Sequence, residues 1–438
     1  MQAGSPSRVR LSVALLLFFV TAINFSDRGI LGAVAPVLIK NFNLTTAQFG
    51  VVASAFSWGY VLTTFLGGLT LALFKGPKRA YMTFVTIWSI ALGATVAAAG
   101  FVSLLFYRII FGLSEGVVFP SSQQIAGRWF PPKEQGRISG WCLTLGQPVG
   151  PLVATPVSIA VAVHYGWRAP FLVWMVIGLI WVVAAGFLLT NRPQEHKGVN
   201  AAELELIGER PESNPADAIR NVITNGYLWI CGLCFFAAAY VLYFMLSFFP
   251  LYLVQERHLA YAKTGFLAST PFLGLAVGAI FSGWAMDRIF AMTGGNLYKA
   301  RTALGAICLF LTGATFLILA NGNWTLGPAI VLMFLGAAFA YAANPVFFAM
   351  PMDIVPEHAG AAGALVTGIA SSAGIIAPLV TGQLVQASGS YASAINVIAW
   401  IPIAAGIVLL AVNPLGRALK TQAARKSASF DPAGVGNA

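Results

Sequence analysis

The chain carries twelve apolar runs that are each long enough to cross a lipid bilayer, because one helical span needs about 20 mostly apolar residues. Of the 438 residues, 58% are hydrophobic and only 9% are charged, whereas charged residues make up about 25% of a soluble domain. The sequence therefore predicts an all-α membrane protein with twelve transmembrane helices. The runs cover residues 11–35, 47–73, 80–100, 103–126, 138–163, 169–190, 225–254, 263–287, 301–320, 325–352, 359–385 and 391–413.

A polar stretch between the sixth and seventh runs divides the chain into two halves. Residues 191–222 hold six of the fourteen acidic residues and several prolines, a composition typical of a solvated linker. The predicted organisation is an N-terminal six-helix bundle (1–190), a cytoplasmic linker (191–222), a C-terminal six-helix bundle (223–413) and a cytoplasmic tail (414–438).

Lysine and arginine are distributed unevenly between alternate loops. With the N-terminus in the cytoplasm, that side receives nineteen of the 25 basic residues and the other side four, while Arg28 and Arg108 lie inside spans. Loops rich in Lys and Arg stay in the cytoplasm, so we expect both termini there. The net charge of +11 is spread over short loops, which argues against nucleic-acid binding.

Four charged residues lie well inside predicted spans, and all four belong to the first half. Asp27 and Arg28 are in the first span, and Arg108 and Glu115 are in the fourth. An ionisable side chain at bilayer depth costs roughly 2.5–3.5 kcal/mol and normally faces a partner or a water-filled path. We interpret the four as a functional set, because buried ion pairs that only join helices contribute little stability.

Helix geometry places these charges on particular faces. Arg108 and Glu115 are about two turns apart on one face, roughly 10.5 Å from each other, so each can meet a partner from another helix or a ligand. Asn24 and Arg28 share a face at positions i and i+4, whereas Asp27 is turned by about 100°. We therefore expect Arg28 to face a cavity and Asp27 to face its wall.

Several other kinds of chemistry find no support in the sequence. The four cysteines lie in apolar runs, and no second Cys pair or nearby His completes a metal site. No nucleophile has an adjacent base and no large soluble domain is present. We expect no metal, no cofactor and neither an intramembrane enzyme nor a sensor. The cysteines are Cys142, Cys231, Cys234 and Cys308.

Several segments give the whole chain a family resemblance. With them the chain resembles the major facilitator superfamily, specifically its anion:cation symporter family, which includes bacterial hexuronate and galactonate transporters and sialin-type carriers. The resemblance implies proton-coupled import of an organic anion by alternating access between two six-helix halves. The segments are Ile23–Arg28, Ser54–Tyr60, Tyr107–Gly116 with Phe119-Pro120, Trp129–Pro131, Gly146-Gln147, and Gly166–Arg168 before Phe171.

The resemblance also implies roles for single residues. Asp27 and Glu115 match proton-linked acids of the family, and Arg108 matches a member of the coupling network. Arg28 matches an arginine associated with the substrate carboxylate, which suits the planar donors of a guanidinium. The expected substrate-binding set is completed by Asn24, Tyr60, Gln147 and the helix-11 pair Ser371 and Ser372.

The chain departs from the family pattern at three places. Phe25 stands where Tyr is usual, which removes a hydroxyl beside the acid. The loop Leu73–Arg79 keeps its basic end but lacks the usual acid, and Ser371-Ser372 stands where an Asn is common. The first and third departures fall at the substrate end of the site.

The expected function is therefore proton symport of a small organic anion, a sugar acid or a related carboxylate, by a monomer in the bacterial inner membrane. The alternative is a proton-coupled exporter of drugs or metabolites. Gly146, Gly150 and Pro151 match the opening of an antiporter signature, but Ala154-Thr155 replaces the Gly-Gly that should follow. The expected partners are the anion, protons and the lipid bilayer.

Overall fold

The computed structural model describes residues 5–66, 73–74, 76–131, 134, 138–208 and 220–420. Within these residues the protein is helical and forms no strand. We number its α-helices in chain order as α1 (Val9–Phe42), α2 (Thr46–Phe65), α3 (Pro77–Ala94), α4 (Phe101–Glu115), α5 (Val118–Trp129), α6 (Gly146–Tyr165), α7 (Ala169–Leu188), α8 (Ala201–Ile207), α9 (Gly226–Gln255), α10 (Thr270–Met292), α11 (Leu304–Asn321), α12 (Leu326–Ala342), α13 (Asn344–Ile354), α14 (Ala359–Ser371), α15 (Ala373–Ser388) and α16 (Ala392–Val412).

Eleven helical segments of the described residues are long and apolar enough to cross a membrane. They correspond to eleven of the twelve predicted runs, so the all-α membrane fold is confirmed. The remaining run, 47–73, forms the 20-residue helix α2, which is not among the eleven. Residues 67–72 at the end of that run, and Lys75 in the loop that lacks the usual acid, lie outside the described residues.

Three of the eleven segments are interrupted near their middle. α4 ends at Glu115 shortly before α5, α12 and α13 are separated at Ala343, and α14 and α15 are separated at Ser372. Pro120 and Pro345 explain the first two breaks, since proline has no N–H for the carbonyl four residues earlier. Each break brings a helix terminus into the interior of the protein.

The first break illustrates how a freed backbone group is satisfied. Pro120 cannot donate to the carbonyl of Gly116, and that oxygen instead accepts a hydrogen bond from Thr64 Oγ1 on α2 at 3.2 Å. At the third break, the hydroxyls of Ser371 and Ser372 donate to the carbonyls of Thr367 and Ile369. Such bonds from serine back to the helix tend to bend it.

The pairs α1 with α9 and α2 with α15 are among those that join the helices before residue 208 to those after residue 220. Both contacts are made through glycine. A Cβ atom at Gly32 would lie 2.0 Å from the carbonyl oxygen of Leu246, and one at Gly50 would lie 2.4 Å from the carbonyl oxygen of Pro378. Only glycine lets these helix backbones approach so closely.

The short helix α8 holds the start of the chain through Glu203. This buried carboxylate accepts hydrogen bonds from the backbone N–H groups of Val9 and Arg10, each at 3.1 Å, and from the hydroxyl of Ser7. Arg10 also forms ion pairs with Glu203 and Glu134, both at 3.2 Å. Burial acts to raise the pKa of Glu203, but these hydrogen bonds outweigh it and hold that pKa below its usual range.

Candidate functional site

A cavity of about 60 Å³ lies where α1, α2 and α4 to α6 meet α9 and α12 to α14. This volume is enough for a few water molecules. The helix breaks supply part of its lining, because Glu115, Asn344 and Ser371 all lie at a break. The lining residues are Thr21, Asn24, Phe25, Arg28, Tyr60, Glu115, Val118, Phe119, Ser122, Gln147, Phe235, Ala238, Ala239, Leu242, Tyr243, Tyr341, Asn344, Phe348, Thr367, Ala370 and Ser371.

Arg28 forms the charged part of the cavity together with Glu115. Its Nε donates to Glu115 Oε2 at 2.9 Å, and its Nη2 donates to Asn24 Oδ1 at 2.8 Å. Arg28 is 5% exposed and Glu115 is fully buried, so water screens this ion pair little. Helix geometry allowed Glu115 to meet either a partner from another helix or a ligand, and in the structure it pairs with Arg28 of α1.

Aromatic rings surround the same guanidinium. Its central carbon lies 4.4 Å from the ring centroid of Phe25, 4.3 Å from that of Tyr60 and 4.9 Å from that of Phe56. Cation–π contacts at such distances are attractive and strengthen when water is excluded. The rings and hydrogen bonds together hold the guanidinium in one orientation.

Asp27 is separated from this pair. It is fully buried and does not line the cavity. Its Oδ2 accepts a hydrogen bond from Trp88 Nε1 on α3 at 2.9 Å, and its Oδ1 has no hydrogen-bond partner in the described part of the chain. The two buried acids thus have different surroundings, with Glu115 at the cavity surface and Asp27 behind it.

Arg108 lies on the α4 face that also carries Glu115. Its guanidinium carbon is 5.0 Å from the ring centroid of Phe56 and 5.3 Å from that of Phe111. It is 4% exposed, and its Nε and Nη1 have no hydrogen-bond partner among the described residues.

The remaining predicted binding residues are placed as follows. Asn24, Tyr60, Gln147 and Ser371 line the cavity, but Ser372 does not, and its hydroxyl donates to the carbonyl of Ile369. Of the predicted pair of serines, only Ser371 therefore lines the cavity. Tyr60 contributes its ring to the surroundings of Arg28.

Sequence reasoning missed Tyr341 of α12. Its hydroxyl donates to Gln147 Oε1 and so joins α6 to α12 across the cavity. The only signal for it was an aromatic hydroxyl one turn before Asn344 in a span otherwise rich in alanine. That signal identifies a helix face but not the partner helix.

The described residues contain no group of three or more His, Cys, Asp or Glu that could hold a metal ion. The four cysteines are buried and free.

Comparison with known proteins supplies the family. The profile of the Major Facilitator Superfamily matches residues 17–378. The hexuronate transporter of Bacillus subtilis (strain 168) is 31% identical over 428 residues, covering 95% of this chain and 98% of the relative. The D-galactonate transporter of Escherichia coli O6:H1 is 30% identical over 402 residues, covering 88% and 92%.

A third relative and a solved structure extend the comparison. The probable sulfoacetate transporter of Cupriavidus necator is 28% identical over 412 residues, covering 92% of this chain and 93% of the relative. A bacterial homolog of the human lysosomal transporter Spinster, in an inward-facing and unoccupied conformation, superposes with a TM-score of 0.67 at 18% identity, covering 96% and 98%. The Spinster homolog is therefore similar to this chain in fold.

The relatives are transporters, which agrees with the expectation that this chain is not an enzyme. The apolar helices and bacterial relatives also agree with the predicted location of a multi-pass protein in the bacterial inner membrane. Because the superfamily profile and the relatives both extend over most of its length, this chain belongs to the Major Facilitator Superfamily.

Proposed function

We propose that this protein imports a small organic anion, a sugar acid or a related carboxylate, by proton-coupled symport. The observation that carries the proposal is the Arg28–Glu115 ion pair at the surface of a cavity between helices from both ends of the chain. The names of relatives that transport hexuronate and D-galactonate support an acidic substrate.

The geometry suggests how anion and proton are coupled. A substrate carboxylate that binds Arg28 competes with Glu115 for the same guanidinium. A buried carboxylate that loses its cationic partner is costly unless it takes up a proton. Binding of the anion therefore favours protonation of Glu115, with Asp27 and Arg108 completing the coupling network.

The proposed architecture is that of an alternating-access transporter. Twelve transmembrane helices form two bundles, 1–190 and 223–413, joined by the linker 191–222 and followed by the tail 414–438. Both termini are cytoplasmic and the protein is a monomer. Residues 209–219 of the linker and 421–438 of the tail lie outside the described residues.

Uptake into proteoliposomes tests the coupling. We expect an inwardly directed proton gradient to accelerate accumulation of the transported acid, with alkalinisation of the outer medium. Glu115→Gln and Asp27→Asn should each abolish the acceleration, since neither side chain can then exchange a proton. Glu357→Gln, which changes an exposed carboxylate, is the matched control and should transport normally.

Two results would overturn the proposal. Normal gradient-driven uptake by both buried-acid variants would remove the proton roles of Asp27 and Glu115. Acidification of the outer medium by external substrate would instead identify the antiporter alternative. An exporter of cations would gain nothing from Arg28 at the cavity surface.

A further inference from the structure

The part of the cavity wall contributed by α9 is apolar except for Tyr243. Phe235, Ala238, Ala239 and Leu242 line the cavity from positions i, i+3, i+4 and i+7, which form one face of a helix. None of these buried side chains can form a hydrogen bond. A ligand hydroxyl placed against these four side chains loses its hydrogen bonds to water and gains none from them.

Aromatic rings from two further helices extend the wall. The ring of Phe348 on α13 meets that of Phe235 edge to face at 5.4 Å between centroids. The ring of Phe119 on α5 lies 6.3 Å from that of Phe348. Centroid separations of this kind are favourable aromatic contacts. The three rings form a continuous apolar surface suited to a flat apolar group.

Many of the polar lining groups are already hydrogen-bonded within the protein. Gln147 accepts from Tyr341, and Ser371 donates to the carbonyl of Thr367. Thr21 donates to the carbonyl of Leu17, and Ser122 bonds the hydroxyl of Tyr81. These groups offer a ligand less hydrogen-bonding capacity than their residue types suggest.

Lining atoms without a partner among the described residues occur on both sides of the cavity. Asn24 Nδ2 and Glu115 Oε1 accompany Arg28, while Asn344 Oδ1 and Thr367 Oγ1 belong to α13 and α14. Asn344 is only 1% exposed, and a buried polar atom left unpaired is costly. The cavity thus offers an anion-binding group, an apolar wall and a small number of further polar groups, which include the hydroxyls of Tyr60 and Tyr243.

We propose that the transported anion is an aromatic carboxylate with at most one or two further polar substituents, in preference to a polyhydroxylated sugar acid. This rests on the proposed transport of an organic anion through this cavity. The carboxylate binds Arg28, the ring packs on Phe119, Phe235 and Phe348, and a substituent hydroxyl bonds Asn344 or Thr367. Each sugar hydroxyl left unpaired on the α9 face weakens binding about tenfold.

Calorimetric titration of the purified full-length protein tests the preference. The probes are benzoate, 4-hydroxybenzoate, D-glucuronate and D-galactonate. We expect 4-hydroxybenzoate to bind at least about tenfold more tightly than either sugar acid. Tighter binding of a sugar acid would overturn the preference and leave organic-anion transport intact. Failure of all four to bind and to be taken up would overturn both.

A pair of variants separates ring packing from general effects on folding. Phe348→Leu keeps an apolar side chain but removes one ring from the wall, so we expect it to weaken 4-hydroxybenzoate binding about fivefold. Phe236→Leu is the matched control, because Phe236 lies on α9, packs against Tyr240 and does not line the cavity. Unchanged affinity in Phe348→Leu, or an equal loss in both variants, would contradict the proposal.

Discussion

The position of each charged residue around its helix decides whether its side chain lines the cavity. Asp27 and Arg28 are neighbours in sequence, yet Arg28 lines the cavity and Asp27 contacts Trp88 behind it. A helix turns about 100° per residue, so adjacent side chains point to different surroundings. The indole N–H of Trp88 is the one hydrogen-bond donor seen on Asp27 within the described chain, and it fixes the orientation of that carboxyl group.

Replacing Trp88 tests this orientation. Trp88→Phe removes the donor that stabilises the charged carboxylate, so we expect slower uptake whose pH dependence moves to higher pH. In the Asp27→Asn background the same replacement should leave the pH dependence unchanged, because the titrating group is already gone. Uptake measured across a pH series provides both results.

The control for this replacement is Trp174→Phe. Trp174 donates its indole N–H to Ser158 Oγ at 3.1 Å, so the same kind of bond is lost away from Asp27. A pH shift of equal size in Trp174→Phe would assign the effect to loss of packing. No shift in Trp88→Phe would remove Trp88 from the coupling network.

At the scale of helices, the breaks in three spans place polar residues in the cavity. Glu115 ends α4, Asn344 begins α13 and Ser371 ends α14. A helix interrupted at bilayer depth leaves backbone groups without intrahelical partners, and such groups are tolerated where protein or a cavity satisfies them. At the first break, Thr64 supplies that partner for the carbonyl of Gly116.

Pro120→Ala should alter this first break. The alanine N–H can donate to the carbonyl of Gly116, which adds one helix hydrogen bond and stabilises the protein by about 1 kcal/mol. Uptake should fall, because Glu115 lies directly before the straightened segment. Thermal unfolding and proteoliposome uptake are the two measurements.

Pro170→Ala is the control for the proline change, because Pro170 lies in the first turn of α7, where proline costs little. We expect it to change neither unfolding temperature nor uptake. Unaltered uptake by Pro120→Ala, despite a raised unfolding temperature, would show that the break does not position Glu115.

At the scale of the whole molecule, two backbone contacts and one carboxylate hold distant parts of the chain together. Gly32 on α1 and Gly50 on α2 let these helices touch α9 and α15. Glu203 on α8 ties the start of the chain to the segment between α7 and α9. In the proposed alternating-access cycle the contacts at Gly32 and Gly50 have to open, whereas Glu203 holds α8 against the start of α1.

Gly32→Ala should prevent close approach of α1 and α9, because the new Cβ would lie 2.0 Å from the carbonyl oxygen of Leu246. We expect the conformation in which α1 and α9 are separated near Gly32 to be populated more. Uptake should then fall at least about tenfold. Labelling of Ser371→Cys by a membrane-impermeant thiol reagent from outside should increase. Gly29→Ala is the control, since its nearest neighbour, Pro151 Cβ, would be 3.5 Å away; equal effects in both variants would contradict this mechanism.

Glu203→Gln should destabilise the protein in a pH-dependent way. Hydrogen bonds hold the pKa of Glu203 below its usual range, so its contribution is present above the unfolded pKa of about 4.3. That contribution is lost as pH falls through the folded value. The variant should therefore unfold at a lower temperature than the parent at pH 7, by an amount that shrinks below about pH 4; a constant difference down to pH 3 would contradict this.

The apolar runs and the interior charges were readable from the sequence by itself, because bilayer thickness and the cost of a buried charge act on local stretches of chain. On this basis twelve spans were predicted, eleven of which match helices long and apolar enough to cross a membrane, and Arg28 and Glu115 were chosen from residues that line the cavity. Asn24, Tyr60, Gln147 and Ser371 also line it, but they were chosen through the family resemblance.

Only the tertiary structure decided which partners meet. Residue spacing fixes the face of a helix that a side chain occupies, but not the helix that faces it. The pairing of Arg28 with Glu115, of Trp88 with Asp27 and of Tyr341 with Gln147 therefore could not be derived from spacing. Each joins residues at least 61 positions apart, and such contacts depend on how the helices pack.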